Sequence, residues 1–319
     1  MLNCAILDDY QNCALGLADW NSLQDVRVKT FTEFIPTREA VAAQLSDFEI
    51  IVAMRERTRF DAELIERLPR LKLLVTTGMK NDAIDVAAAI ARGVGVCGTK
   101  SLPSPAPELA WALLLAMARR IPTDVNSVRA GGWQTTVGVG LDGKTLGIVG
   151  VGKIGTRMAR VAEAFGMSII GWQPRHAEES CKEAGVPCAA SLDELMQRSD
   201  FVTVHMVLAG STRGMIGAKE LAKMKLTAML VNAARGPLVD EKALIEALKG
   251  NRIAGAALDV YDTEPLPVDH PFRTLPNVIA TPHLGYVTRE NYQIFYREAV
   301  EDIQSWLAGK PIRLLPGPK

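Results

Sequence analysis

The chain has 319 residues, 48% of them hydrophobic, and its 36 Lys and Arg balance 36 Asp and Glu for a formal net charge of zero. That length predicts two domains, each with enough apolar residues for a core of its own. The balance excludes a basic field for nucleic acid, no apolar run approaches the ~18 residues of a membrane span, and the N-terminus lacks a signal pattern, so a cytoplasmic protein without nucleic-acid or membrane partners is expected.

In chain order, short apolar runs at 4–7, 26–30, 50–53, 73–76 and 95–97 read as strands. Helical patterns at 38–45, 62–67 and 83–91 separate most of them, which predicts a small α/β domain. Pro103, Pro105 and Pro107 then punctuate the chain before a long apolar helix over 108–119. They place a domain boundary near residues 99–101.

The stretch Thr145-Leu-Gly-Ile-Val-Gly-Val-Gly-Lys-Ile-Gly-Thr156 reads as an apolar strand running into Gly150-x-Gly152-x-x-Gly155 and then a helix. In that setting Gly150 permits the tight turn and Gly152 lets the backbone approach a pyrophosphate. Gly155 lets the helix pack closely on the strand, and the first helical turn, from Lys153 and Ile154, turns its N–H groups to the phosphates. Further strands at 168–172, 201–205, 228–232, 253–258 and 277–281 alternate with helical patterns at 154–165, 192–198, 218–224 and 241–249, indicating a mostly parallel sheet. Helix 154–165 is expected to bury Ile154, Met158, Val161 and Phe165. Residues 288–307 are helical with no further strand, so they should return to cover the first domain.

The expected fold is therefore α/β, with two doubly wound parallel-sheet domains. A dinucleotide-binding Rossmann domain over 100–285 is inserted in a smaller flavodoxin-like substrate domain of 1–99 and 286–319. The ligand site is expected in the cleft they share. The five cysteines, Cys4, Cys13, Cys97, Cys181 and Cys188, are odd in number and lack zinc-type spacing. They predict reduced thiols and no metal.

An acid about twenty residues after the glycines normally accepts the ribose hydroxyls of NAD. Here the strand runs into Gln173-Pro174-Arg175-His176 with no acid. Without a carboxylate at Gln173 nothing repels a 2′-phosphate, and Arg175 can pair with it, which favours NADP over NAD. The alternative is that Arg175 points to solvent and either cofactor is accepted.

Hydride transfer at a carbonyl needs a proton donor that titrates near neutrality, and histidine suits this best. Of the four histidines, His176 lies in cofactor territory, His205 ends a strand and faces the cofactor, and His270 sits in a Pro-rich loop. His283 follows Thr281-Pro282 at the carboxyl end of the last strand, where parallel sheets place ligand groups.

Three segments give His283 its company. Asn232-Ala-Ala-Arg235-Gly236-Pro-Leu-Val-Asp240, Leu258-Asp259-Val-Tyr-Asp-Thr-Glu264-Pro265 and Thr281-Pro282-His283-Leu-Gly285 resemble, in order and spacing, the arginine, glutamate and histidine segments of the D-2-hydroxyacid dehydrogenases. The resemblance extends over nearly the whole chain. Thr77-Gly-Met-Lys-Asn-Asp-Ala-Ile-Asp85 is similar to that family's substrate loop, although Met79-Lys80-Asn81 replaces its usual glycine-rich residues.

The resemblance implies an NAD(P)-dependent oxidoreductase acting on a small 2-oxo or 2-hydroxy acid. In it His283 is the acid and base, Glu264 holds its other ring nitrogen, and Arg235 grips the substrate carboxylate and polarises the carbonyl. Backbone N–H groups of Gly78, Met79, Lys80 and Asn81 complete the anion site, Asp259 orients the nicotinamide carboxamide, and Ala233 lies against the cofactor. Lys80 draws an anion or is simply solvated. Arg55 is a further cleft cation or a surface arginine. Taken singly, Arg235 could be a surface ion pair, Glu264 a loop charge and Asp259 a helix cap, and only their joint order argues otherwise. By family analogy the helix over 108–119 forms a homodimer contact. The rival from another class is a non-catalytic dinucleotide sensor or corepressor, which has no need of a proton relay. Within the enzyme class, phosphoglycerate or formate dehydrogenation stays open.

Overall fold

Strands covered on both faces must be apolar throughout, and this is how the sheets are written into the chain. In the computed structural model, which describes residues 1–317, four-residue strands such as Ile50–Ala53, Phe201–Val204 and Met229–Asn232 are buried along their whole length. In chain order the first elements are β1 (Leu2–Ile6), α1 (Ala14–Leu17), β2 (Val26–Thr30), α2 (Arg38–Leu45), β3 (Ile50–Ala53), α3 (Ala62–Glu66), β4 (Leu73–Thr76), α4 (Val86–Ala91) and β5 (Gly95–Gly98). Two consecutive helices follow, α5 (Pro105–Ala118) and α6 (Ile121–Arg129). Then come β6 (Thr145–Val149), α7 (Lys153–Ala164), β7 (Ser168–Trp172), α8 (Ala177–Ala184), α9 (Leu192–Arg198), β8 (Phe201–Val204), α10 (Ala218–Leu221), β9 (Met229–Asn232), α11 (Glu241–Lys249), β10 (Gly255–Leu258), β11 (Val278–Ala280) and α12 (Arg289–Leu307). Side-chain oxygens of Thr37, Asp61, Asp85, Ser191, Asp240 and Thr288 start six of these helices by accepting a first-turn N–H.

The chain divides into two compact units. One is Met1–Leu102 with the segment from Val287 onward. Its five strands are all parallel, in the order β2-β1-β3-β4-β5, which is the flavodoxin-like winding. The helix α12 packs on β4 and β5. Its Asn291 and Glu298 side chains accept the Leu102 and Lys100 N–H groups, at 2.8 and 2.6 Å. The free edge of β5 is closed by the tail, where Gly98 N–H donates to Arg313 O and Leu315 N–H to Val96 O.

The other unit, Pro103–Tyr286, holds six parallel strands in the order β11-β10-β9-β8-β6-β7. A single parallel bridge between Gly171 and Cys188 marks where the next Rossmann strand would lie beside β7. No helix among the described residues is long and apolar enough to cross a membrane.

Three helices have no counterpart in the sequence reading: α1, α6 and α8. The last two bury no apolar stripe, since α6 buries nothing and α8 buries only Cys181. Helix α4 starts later than expected, because Ile84 pairs with Phe60 and Asp85 serves as the cap. The expected face of α7 is corrected too. Gly155, Met158, Ala159 and Ala162 are buried, whereas Val161 and Phe165 are 39% and 38% exposed. Small residues turn to the sheet because the helix runs so close to it. A Cβ on Gly155 would lie 2.2 Å from Gly150 O.

Candidate active site

The cofactor loop is built first by β6. Gly150 has φ +100°, and a Cβ there would lie 2.8 Å from the His205 carbonyl, so only glycine turns the chain at this point. Gly152 caps α7, and a Cβ built on it would meet nothing within 4 Å. This leaves open space at the helix N-terminus, where a pyrophosphate would meet the first-turn N–H groups of Lys153 and Ile154. His205 follows β8, and its Nε2 lies 2.8 Å from Thr203 Oγ1. Burial pushes its ring down to about 3, which leaves it neutral at physiological pH. Ala233 follows β9, half-buried.

At the end of β7, Gln173 spends its amide on the protein. Its Oε1 accepts the Val151 N–H at 3.1 Å, while Nε2 donates to Arg175 O and Ser180 Oγ, both at 2.8 Å. The side chain thus straps the glycine loop to the turn after β7. Arg175 is exposed and has no ion-pair partner among the described residues. His176 faces outward beside Glu179, at 3.5 Å.

Three neighbouring strand ends carry the rest. Asn232 pairs in register with Leu258, and Leu258 with Ala280, so β9, β10 and β11 finish side by side. Parallel pairing therefore gathers residues from three distant segments on one edge. After β9, the buried Asn232 carboxamide clasps the turn, accepting the Ala234 N–H at 3.1 Å and donating to Arg235 O at 3.0 Å. Arg235 Nη1 donates to Ala234 O at 2.7 Å. Gly236 follows, and a Cβ on it would lie 2.1 Å from the Tyr261 carbonyl carbon. The arginine turn and the glutamate loop touch backbone to backbone.

After β10, Asp259 is fully buried. Its Oδ1 accepts the Thr281 hydroxyl at 2.6 Å and the Leu284 N–H at 2.7 Å, and its Oδ2 accepts the Gly285 N–H at 2.8 Å. Burial pushes this carboxyl up, while the three donors and the nearby His283 pull against it. Asp259 thereby braces the turn that presents His283, which itself has φ +56°. Glu264 Oε1 accepts the Tyr261 N–H at 3.0 Å, and Oε2 meets His283 Nδ1 at 2.6 Å. The imidazole is 18% exposed, and with Nδ1 committed, Nε2 is the nitrogen left to exchange a proton.

Sequence reasoning gave no role to two residues here. Tyr261 Oη lies 3.0 and 2.9 Å from the Leu258 and Thr281 carbonyls, tying β10 to β11. The Tyr286 ring stands edge-on to His283, centroids 5.5 Å apart. The only signal for either was an aromatic residue three positions from a site acid or from the histidine.

In the first unit, Arg55 has φ +49° and donates from Nη1 to Thr77 O at 3.3 Å. Its guanidinium lies over Gly78, where a Cβ would sit 2.1 Å from Nη1. The Gly78 N–H donates to Thr99 Oγ1 at 3.0 Å. Asn81 is buried, donating to Arg55 O and Thr76 Oγ1 and accepting the Ala83 N–H, so it shapes the loop from inside. Met79 and Lys80 are exposed, Lys80 beside Asp82 at 3.3 Å. Arg55, Gly78 and Asn81 are thus brought together, and Met79 and Lys80 turn outward.

Comparison with known proteins follows the same lines. The family profile described as D-isomer specific 2-hydroxyacid dehydrogenase, NAD binding domain, matches residues 111–285. The chain is 40% identical over 277 residues to a D-3-phosphoglycerate dehydrogenase of Methanocaldococcus jannaschii, covering 86% of this chain and 52% of that protein. It is 37% identical over 282 residues to a glyoxylate reductase of Korarchaeum cryptofilum, covering 86% and 84%. A solved phosphoglycerate oxidoreductase from Vibrio cholerae superposes with a TM-score of 0.92 at 37% identity, over 97% of this chain and 100% of that one. The chain spans about half the length of the curated D-3-phosphoglycerate dehydrogenases it matches.

Proposed function

The chain belongs to the D-isomer specific 2-hydroxyacid dehydrogenase family, and from that premise we propose that it reduces a small 2-oxo acid to the D-2-hydroxy acid with a nicotinamide dinucleotide, NADP in preference to NAD. The observation that carries this reading is the 2.6 Å contact between Glu264 and His283, on the sheet edge that also bears Arg235. His283 delivers the proton from Nε2 to the carbonyl oxygen in reduction and takes it back in oxidation. Glu264, on Nδ1, fixes the ring and stabilises the imidazolium. Arg235 holds the substrate carboxylate through its planar fork and polarises the adjacent carbonyl. The bound dinucleotide supplies the hydride.

Gly150, Gly152, Lys153, Ile154 and Gly155 cradle the pyrophosphate, with His205 and Ala233 alongside, while Asp259, fully buried, is read as acting on the nicotinamide end only through the Leu284–Gly285 turn that it holds. In the first unit, Arg55 and the backbone of Met79 and Lys80 are read as substrate-binding groups, whereas the Gly78 N–H is spent on Thr99 and the buried Asn81 supports the loop. NADP is favoured because no acid stands at Gln173 and the exposed Arg175 is available to a 2′-phosphate. A cytoplasmic homodimer is proposed as well. Support comes from α6, next to the long helix α5, where Ile121, Val125 and Val128 are exposed on one face, and from Trp133, 74% exposed just beyond it.

The test is a panel of 2-oxo acids with NADH and NADPH, followed by nicotinamide absorbance. Consumption of NADPH with at least one 2-oxo acid, and its loss in His283→Ala, supports the reading. Silence across the panel with a protein that still binds dinucleotide favours a sensor instead.

A further inference from the structure

A second histidine–carboxylate pair lies behind the first. His270 Nδ1 accepts the Phe272 N–H at 3.3 Å, so the ring proton sits on Nε2. That nitrogen donates to Glu241 Oε1 at 3.1 Å. The other oxygen, Glu241 Oε2, accepts the Asp262 N–H at 3.3 Å. Glu241 is the first residue of α11, anchored by the Asp240 cap, and both members of the pair are largely shielded, with side chains 21% and 13% exposed.

The two points that Glu241 holds bracket one loop. Asp262 lies two residues before Glu264 and His270 six residues after it. Within that loop Glu264 is tied to the Tyr261 N–H, so its carboxylate goes where the loop goes. The His270 ring also packs on Phe272, centroids 4.9 Å apart, and Phe272 on Tyr261 at 6.3 Å. Arg273 closes the same loop by donating to the Leu266 and Pro267 carbonyls.

We propose that Glu241 and His270 are positioning residues for the proton relay, a clasp on both ends of the Glu264 loop that sets the Glu264–His283 contact and so the proton affinity of His283. The inference rests on the reading of that contact as the relay. The charged groups about the clasp are Asp240, Asp262, Arg213 and Arg273, and those about His283 are Glu264 and Asp259. Asp262 reports the crowding of negative charge, for burial and then Glu241 push its carboxyl up.

The variants follow from the hydrogen bonds. Glu241→Gln keeps an acceptor for His270 but turns an N–H group toward the Asp262 N–H, opening one end of the clasp. His270→Ala opens the other. His270→Gln restores it, since its amide reaches the Nε2 position and donates to Glu241. Steady-state reduction of a 2-oxo acid across pH, with cofactor Kd by nicotinamide fluorescence, reads all three against the wild type. Glu241→Gln and His270→Ala should lower kcat about tenfold, as loss of a buried partner behind a functional histidine does. With less carboxylate support for the imidazolium, the limb that needs protonated His283 should move to lower pH. Cofactor Kd should stay within about twofold of wild type, and His270→Gln should recover most of kcat and the wild-type limb. An unmoved limb and unchanged kcat in both loss variants, even with lowered Tm, overturns the proposal, and so does a cofactor Kd that collapses along with kcat. His283→Ala serves as the control. If it turns over like wild type, the relay reading fails and takes this inference with it. If it is dead while the clasp variants are normal, only the clasp fails.

Discussion

Gly236→Ala should disable the enzyme while leaving it folded. The backbone of Gly236 lies outside the left-handed region, so alanine fits its conformation and the effect is steric alone. The added Cβ would sit 2.1 Å from the Tyr261 carbonyl carbon and 2.3 Å from its oxygen. Both are backbone atoms, with no side chain to swing aside. The two segments must part by about 0.9 Å to reach the 3.0 Å that real Cβ contacts keep. Overpacking of this kind costs ~1–3 kcal/mol, well inside the ~5–15 kcal/mol that holds a protein of ordinary stability together. The same displacement falls between Arg235 on one side and the loop of Glu264 on the other. A misplacement of about 1 Å in a positioned group can cost roughly 100-fold in rate, so activity falls long before stability does. Initial rates with varied 2-oxo acid should show kcat down by about that factor and a raised KM, with cofactor affinity intact because the glycine loop lies at the end of β6. Gly140→Ala, where a Cβ meets nothing within 4 Å, should behave as wild type. A folded Gly236→Ala with wild-type kcat and KM would refute the contact as the element that sets the site.

Arg235→Lys should fail to restore what Arg235→Ala loses, since an ammonium cannot match the planar fork; equal KM and kcat for the lysine variant and wild type count against Arg235 as the carboxylate grip. Arg175→Ala should weaken NADPH and spare NADH, and Gln173→Asp should swing preference toward NADH, although the shorter acid also lets go of the Val151 N–H. Fluorescence titration of both cofactors decides this, and a wild type that prefers NADH with no selective effect at Arg175 sinks the NADP assignment. Asp302, fully buried beside Arg313, is pushed up to about 7 by burial, with Glu298 and Glu301 adding to the rise against the pull of Arg313. Its folded value lies above the ~3.9 of an unfolded aspartate, so its contribution to stability is full below about pH 4 and is lost as pH rises through about 7. Asp302→Asn should therefore flatten the decline in denaturant midpoint across that window, and parallel curves for the two proteins would contradict the assignment.

The strands could be read from the chain because burial on both faces leaves a continuous apolar run, and the runs at 50–53 and 73–76 coincide with β3 and β4. Helices were legible only where they bury a stripe against a sheet. Helix α6 presents Ile121, Val125 and Val128 outward and buries nothing within the described residues, so its pattern has no sheet to answer to. Helix α7 was found but turned by one position, since the apolar residues of an amphipathic helix mislead where Gly155, Ala159 and Ala162 are the ones small enough to lie against the strand.

The site divides along the same line. Arg235, Glu264 and His283 were legible as residue types in a family order, each within a few positions of a strand end. What holds them was not, because apart from the local Asn232 and Tyr261 contacts it depends on segments about twenty residues or more apart. Nothing near Asp259 in the sequence says that its carboxylate takes three donors from the histidine turn, or that Gly236 is small because Tyr261 crosses it. Those relations arise once β9, β10 and β11 are in register, which brings Asn232, Leu258 and Ala280 level and makes their loops neighbours. On the proposed reading the chemistry falls to a few charged side chains on loops, and its precision to groups that hold those loops: a glycine, a carboxamide, a phenol and a carboxylate. A substitution among these should move kcat with little change in cofactor affinity, and this separates them from the glycine loop, where the order of effects should reverse.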